Sequence, residues 1–171
     1  MVRDNKHAPP YPKPRVMKPN PFYATLLLED YAGATSEFTA ISQFIYHSVV
    51  SLEQEDLHKL EKTIAMEEMH HLDLLAQTIA LLGVDPKFRT LTDNIASYWK
   101  CSYVYYGRSI TDRLSADIAA ERSAINQYRH HLRLIEDPYI KELLERIIWD
   151  EEQHLKLFQQ MAVKYSYHHS E

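Results

Sequence analysis

The chain has 171 residues, 45% of them hydrophobic, with a formal net charge of −5 and a pI near 6.0. That length supports one core and one domain, and the acidic balance gives no electrostatic reason to expect nucleic acid or an anionic membrane as a partner. The single cysteine, Cys101, excludes an intramolecular disulfide framework or a four-cysteine metal site and reads as an ordinary buried thiol.

No apolar run approaches the roughly 18–20 residues of a membrane span, and the N-terminus carries charges and prolines where a signal peptide is apolar. A cytoplasmic protein is therefore expected. Only three glycines, together with apolar residues recurring at intervals of three and four, predict an all-α fold.

Residues 1–19 hold Pro9, Pro10, Pro12, Pro14 and Pro19, so this arm is expected to be extended, either wrapping a neighbour or hanging as a tail. Asn20-Pro21 opens a first helix over 21–50, with Asp30, Gly33, Ala34, Ile41, Phe44 and Ser48 on its inward face. Ser51-x-x-Gln54 reads as a capping box for a second helix over 52–82, which Gly83 and Asp85-Pro86 end. Its inward stripe is Leu57, Leu60, Ile64, Glu68, His71, Leu75, Ile79 and Leu82.

Residues 84–108 form a long crossover with an aromatic run over 98–106, too apolar for a bare loop. It reads either as a segment packed over the bundle or as a subunit interface. A third helix over 109–136 turns Leu114, Asp117, Ile118, Glu121, Ile125, Tyr128, Leu132 and Ile135 inward. Asp137-Pro138 opens the fourth, over 138–165, with Leu144, Ile147, Glu151, His154, Phe158 and Met161 inward. His130, His131, His168 and His169 read as surface or tail histidines, the last two in the short tail 167–171.

Two stretches, Glu68-Met69-His70-His71 and Glu151-Glu152-Gln153-His154, each place a Glu and a His three residues apart, on one face of a helix. Such a pair is common by chance. Here each is preceded by a lone Glu in a near-copy segment: Glu37 lies 31 residues before Glu68, and Glu121 lies 30 before Glu151, both in Glu-x-x-Ala-Ile-[Ser/Asn]-Gln-[Phe/Tyr]. The chain thus reads as a duplicated helix hairpin. At about 1.5 Å per residue, the Glu and the Glu-x-x-His of each hairpin fall within about 5 Å of one level. Glu37, Glu68, His71, Glu121, Glu151 and His154 can therefore converge, which is the ligand set of a ferritin-like di-metal carboxylate bundle.

Four glutamates on apolar faces are costly unless counter-charged, and two divalent ions balance them. Oxygen-rich ligation with one His per ion suits manganese or iron. Asp117, one turn before Glu121, is expected to hold a ligating His from behind, and Tyr128 to line the site or pack in the core. Glu67 and His70 form a competing register that points about 100° away, so they are expected to be bystanders. Met69 reads as an ordinary methionine, and haem is not expected.

Several stretches resemble the manganese-catalase family and its shorter spore-coat relatives: Lys18-Pro19-Asn20-Pro21 with 27–33, Glu67-Glu68-Met69-His70-His71, Ala116-Asp117-Ile118-Ala119-Ala120-Glu121-Arg122, and Asp137-Pro138 with Lys141. The Glu37 segment and 150–154 are equally similar to bacterioferritins and rubrerythrins. The chain is without the long C-terminal extension of full-length manganese catalases. These resemblances imply an oxidoreductase acting on hydrogen peroxide or dioxygen, with the six residues as metal ligands. A homo-oligomer is expected, and an external electron donor wherever the reaction is a peroxidase reaction. Ferroxidation, or a structural spore-coat role with a stabilising metal site, stands as the alternative.

Overall fold

The computed structural model describes residues 8–92 and 95–167, and His168 and His169 lie outside them. Five helices form the frame: α1 (Pro21–Ala32), α2 (Glu37–Val50), α3 (Glu55–Leu81), α4 (Ile110–Leu134) and α5 (Pro138–Tyr167). The antiparallel hairpins α2–α3 and α4–α5 make an all-α four-helix bundle, and α1 extends the α2 corner over its upper end.

The expected first helix is two helices. Gly33 interrupts it: its N–H closes the last helical bond, to the Glu29 carbonyl at 3.0 Å, its ψ of −171° then turns the chain extended, and a Cβ at this position would stand 2.6 Å from that same oxygen. The chain restarts at Ser36, whose hydroxyl accepts the Thr39 N–H and donates to the Gly33 carbonyl. The break leaves Ala34 exposed rather than inward, and it sets Glu37 as the first residue of α2.

The capping box at Ser51 does not form. Ser51 closes the end of α2 instead, and α3 starts at Glu55 after Gln54, which makes no side-chain cap; Glu55 and Asp56 in the first turn face the positive helix end. Gly83, at φ +88, takes the left-handed conformation that terminates α3.

The crossover packs over the bundle. It carries a two-stranded antiparallel sheet, β1 (Arg89–Thr92) and β2 (Ile95–Tyr98), followed by a 3-10 turn at Cys101–Tyr103. Phe88 stacks on Tyr31 and lies against Phe38, Trp99 meets Phe38 edge-on, and the Trp99 indole donates to Thr39 Oγ1 at 2.9 Å. Cys101, expected to be buried, is exposed on this segment.

Residues 8–19 of the arm lie against their own bundle. Met17 N–H donates to Asp137 Oδ2 at 2.6 Å, Asn20 N–H to the Leu82 carbonyl, and Arg146 Nε to the Pro9 carbonyl at 2.5 Å. His131, expected on the surface, is buried: Asp30 accepts from it at 2.8 Å, and the Asp30 and Glu29 carboxylates outweigh burial to push its imidazole up to about 9. Its position follows from the stripe it shares with Tyr128 and Ile135.

Two apolar clusters fill the bundle. The upper one contains Leu27, Leu28, Leu75, Ile79, Ile135 and Leu144; the lower contains Phe44, Leu57, Ile64, Leu114 and Phe158. The expected inward stripes supply most of the lower cluster but less than half of the upper one, where α1 adds Ala24, Leu26, Leu27, Leu28, Tyr31 and Ala32, none of them on the expected inward face; a belt of acids and histidines separates the two. Because the Glu29 carbonyl cannot retreat without breaking the end of α1, Gly33→Ala should destabilise the fold by about 1–3 kcal/mol, read as a lower urea midpoint with an unchanged slope.

Candidate metal centre

The belt is where the six predicted residues meet. Glu37 comes from the start of α2, Glu68 and His71 from α3, Glu121 from α4, and Glu151 and His154 from α5; none is more than 4% exposed. Each imidazole turns Nδ1 into the belt. His71 Nδ1 lies 2.8 Å from Glu68 Oε2 and 3.1 Å from Glu151 Oε1; His154 Nδ1 lies 2.8 Å from Glu68 Oε1 and 3.3 Å from Glu151 Oε2.

Glu37, Glu68, His71 and Glu151 offer ligand atoms all within 4.8 Å of one another, and so do Glu68, Glu121, Glu151 and His154. Glu68 and Glu151 belong to both sets. These groups could hold two cations side by side, with two shared carboxylates between them and one Glu and one His at each end.

The donor chemistry fits that occupancy. Oε1 of Glu68, Glu121 and Glu151 are buried without a hydrogen-bond partner, an arrangement that is costly unless a cation satisfies them. The short approaches of His154 to Glu68 Oε1 and of His71 to Glu151 Oε1 do not have hydrogen-bond geometry. Burial, then the neighbouring Glu68 and Glu151 charges, holds the Glu37 carboxyl well above the usual range; burial, Glu151 and Glu68 do the same to Glu121. Burial opposes ionisation of Glu151 too, but the two histidines outweigh it and hold it well below. Both imidazoles are raised despite burial, His71 by Asp150 and its glutamates, His154 by Glu68, Glu151 and Glu67. Protons here do the work of counter-charge.

The outer partners differ from expectation. Asp117 does not touch His71 or His154; it faces His47 Nδ1 at 2.8 Å and accepts from Gln43. Asp150 instead meets His71 Nε2 at 3.1 Å, and Glu67, expected to be a bystander, meets His154 Nε2 at 2.7 Å. A residue turned about 100° from the ligand face still points at the neighbouring helix, and that is where the other box's imidazole presents its second nitrogen. Both acids immediately precede their own Glu-x-x-His, a repeated signal that was available in the sequence. Asp150 is itself held by Tyr11 Oη at 2.5 Å and by Arg146 Nη1, whose guanidinium lies 3.9 Å over the Tyr11 ring. Burial opposes its ionisation, but His71, Tyr11 and Arg146 draw its carboxyl down to about 2. Tyr128, weighed between core and site, donates its hydroxyl to Glu37 Oε1. His70 and Met69 are exposed on the flank.

A cavity of about 270 Å³ opens between α2 and α4. Small residues, among them Ala34, Ala40, Ala116, Ala120 and Ala124, line its walls, and it reaches Glu37, Glu121, Glu151 and Tyr128. A second pocket, of about 430 Å³, lies beside Tyr11 and His70 and touches Glu67 and Asp150 but none of the six.

A four-helix bundle whose paired hairpins direct a Glu and a Glu-x-x-His inward is a ferritin-like protein of the dinuclear carboxylate class. Within that class, the model of the family "Manganese containing catalase" matches residues 6–98, more than half of the chain, and the chain belongs to that family. The probable manganese catalase of Clostridium acetobutylicum is 27% identical over 171 residues, 88% of this chain and 74% of that protein. A bacterioferritin of Streptomyces coelicolor is 28% identical over 126 residues, 71% of this chain and 70% of its own. Among solved structures, KatB, a manganese catalase from Anabaena, superposes with a TM-score of 0.83 at 26% identity, over 97% of this chain and 81% of that one. Mycobacterium tuberculosis bacterioferritin BfrA, at 24% identity and a TM-score of 0.72 over 88% and 90% of the two chains, shares the fold.

The shifts fix a sign. Glu37, Glu121, His71 and His154 all hold protons more tightly folded than unfolded, so the stability they contribute to the metal-free protein is lost as pH rises through the folded values. Glu151 acts oppositely, at lower pH. The metal-free melting temperature should therefore fall from pH 6 to pH 8, while that of manganese-loaded protein, in which the ions displace those protons, should hold or rise. By calorimetric titration, Asp150→Asn and Glu67→Gln should each weaken manganese binding by about 10–100-fold, whereas His70→Ala should leave it unchanged.

Proposed function

We propose that this protein is a di-metal oxidoreductase that holds two manganese ions in the belt and disproportionates hydrogen peroxide. The observation that carries this reading is the pair of four-donor sets sharing Glu68 and Glu151, opening onto the cavity between α2 and α4. Similarity to KatB and to the Clostridium protein supports manganese and peroxide.

Glu37, Glu68, His71 and Glu151 would hold one ion, and Glu68, Glu121, Glu151 and His154 the other. When bound, two adjacent redox ions supply a two-electron change, so that two peroxides give one dioxygen and two waters and no outside electron donor is needed. The protein's own part is positional. Asp150 and Glu67 fix the imidazoles through Nε2, leaving Nδ1 for the ions. The Tyr128 hydroxyl holds Glu37 at the cavity's inner end, and the largely alanine-lined wall admits a molecule the size of peroxide. Homo-oligomerisation belongs to the same reading: Ile95, 73% exposed, and Tyr98, 58% exposed, project from the crossover hairpin.

Fe(II) oxidation is the second reading, supported by the bacterioferritin relatives. Oxygen release from added peroxide separates the two. Protein loaded with two equivalents of manganese should release oxygen rapidly, and Glu68→Gln or Glu151→Gln should lower the rate by at least about 100-fold through loss of a shared carboxylate. No release from the manganese form, together with oxygen consumption on Fe(II) addition, would replace the first reading with the second.

A further inference from the structure

We propose that His47, Glu61 and Asp117 form a third cation site, for a single divalent metal ion, distinct from the pair in the belt. The cluster lies below the belt, towards the α2–α3 turn. His47 is ten residues past Glu37, Glu61 seven before Glu68, and Asp117 four before Glu121, which at about 1.5 Å per residue is roughly 6–15 Å along the bundle. Phe44 on α2 and Ile64 on α3 fall between it and the belt, in the lower apolar cluster.

All three side chains are fully buried, and each offers a ligand atom within 4.8 Å of the other two. The tautomer of His47 is fixed from outside. Its Nε2 lies 2.7 Å from the Tyr105 carbonyl, which only accepts, so Nε2 carries the hydrogen and Nδ1 faces Asp117 at 2.8 and 3.0 Å. His71 and His154 show the same disposition in the belt, with Nδ1 on the carboxylates and Nε2 on an outer acceptor. That is the posture of a metal-ligating histidine. Asp117 is steadied by Gln43, whose amide donates to it at 2.8 Å while its carbonyl accepts the Tyr105 N–H at 3.0 Å.

The independent observation is Glu61. It is 0% exposed, directed into the cluster, and neither of its oxygens has a hydrogen-bond partner. Arg113 does not close it: Nη2 turns to the Ser51 hydroxyl at 3.4 Å, and Nε is without a partner. Burial and the Asp117 charge push the Glu61 carboxyl up to about 9, with Arg113 and Ser51 offsetting only part of that. A buried carboxylate without a hydrogen-bond partner, facing a His–Asp pair and only partly offset by Arg113, favours a further cation. One imidazole nitrogen and two carboxylates suit Mn(II), Fe(II) or Zn(II).

The test compares the full chain with Glu61→Gln, which keeps the shape and removes the charge. After chelator treatment and dialysis against Mn(II) or Zn(II), wild type should retain one equivalent more per chain than Glu61→Gln, and His47→Gln should show the same loss. The difference, not the total, is the readout, so it should persist in a Glu68→Gln background whatever the belt holds. Equal metal contents in wild type and Glu61→Gln would overturn the proposal and leave the cluster a proton-sharing polar network. An unchanged or higher metal-free melting temperature of Glu61→Gln establishes that any lost metal is not lost fold.

Discussion

Four carboxylates buried at one level of a helical bundle set the terms for everything else in this protein. Glu37, Glu68, Glu121 and Glu151 stand between two apolar clusters, where like charges are neither solvated nor screened. The fold tolerates them only with counter-charge, supplied by protons on the carboxyls and imidazoles or by cations held in common. The chain belongs to the family of manganese-containing catalases, and the belt's geometry explains why the bundle needs two helices from each hairpin.

The duplication reaches beyond the ligands. In both hairpins an acid precedes the Glu-x-x-His, and each acid braces the imidazole of the other: Glu67 behind His154, Asp150 behind His71. The two halves are thereby tied through their outer partners as well as through the shared Glu68 and Glu151. Asp150 is further clamped by Tyr11 and Arg146, so the proline-rich arm reaches one end of the belt.

The four-helix bundle, the inward stripes of α3, α4 and α5 and the six convergent residues were legible because periodicity and repeated spacing encode them directly. What was not legible depended on contacts between distant segments. Gly33 falls on the inward face of the helix expected over 21–50; only the structure shows the chain turning extended there, with the Glu29 carbonyl where a Cβ would stand. Asp117 was rightly placed inward, but nothing in its own helix says that His47, 70 residues away, would claim it. Glu67 was dismissed by its angle from the ligand face, an argument that holds for its own helix and neglects the neighbour. The arm's prolines forbid helix without saying where an extended chain will lie, and the Tyr11–Asp150 contact settles that.

The central claim is that two cations share Glu68 and Glu151. Anomalous diffraction at the manganese edge from crystals of manganese-loaded protein tests it most directly. The account predicts two peaks in the belt, one ligated by Glu37 and His71 and the other by Glu121 and His154, with both shared glutamates reaching each. A single peak, or none among these six residues in protein shown to contain manganese, would contradict it.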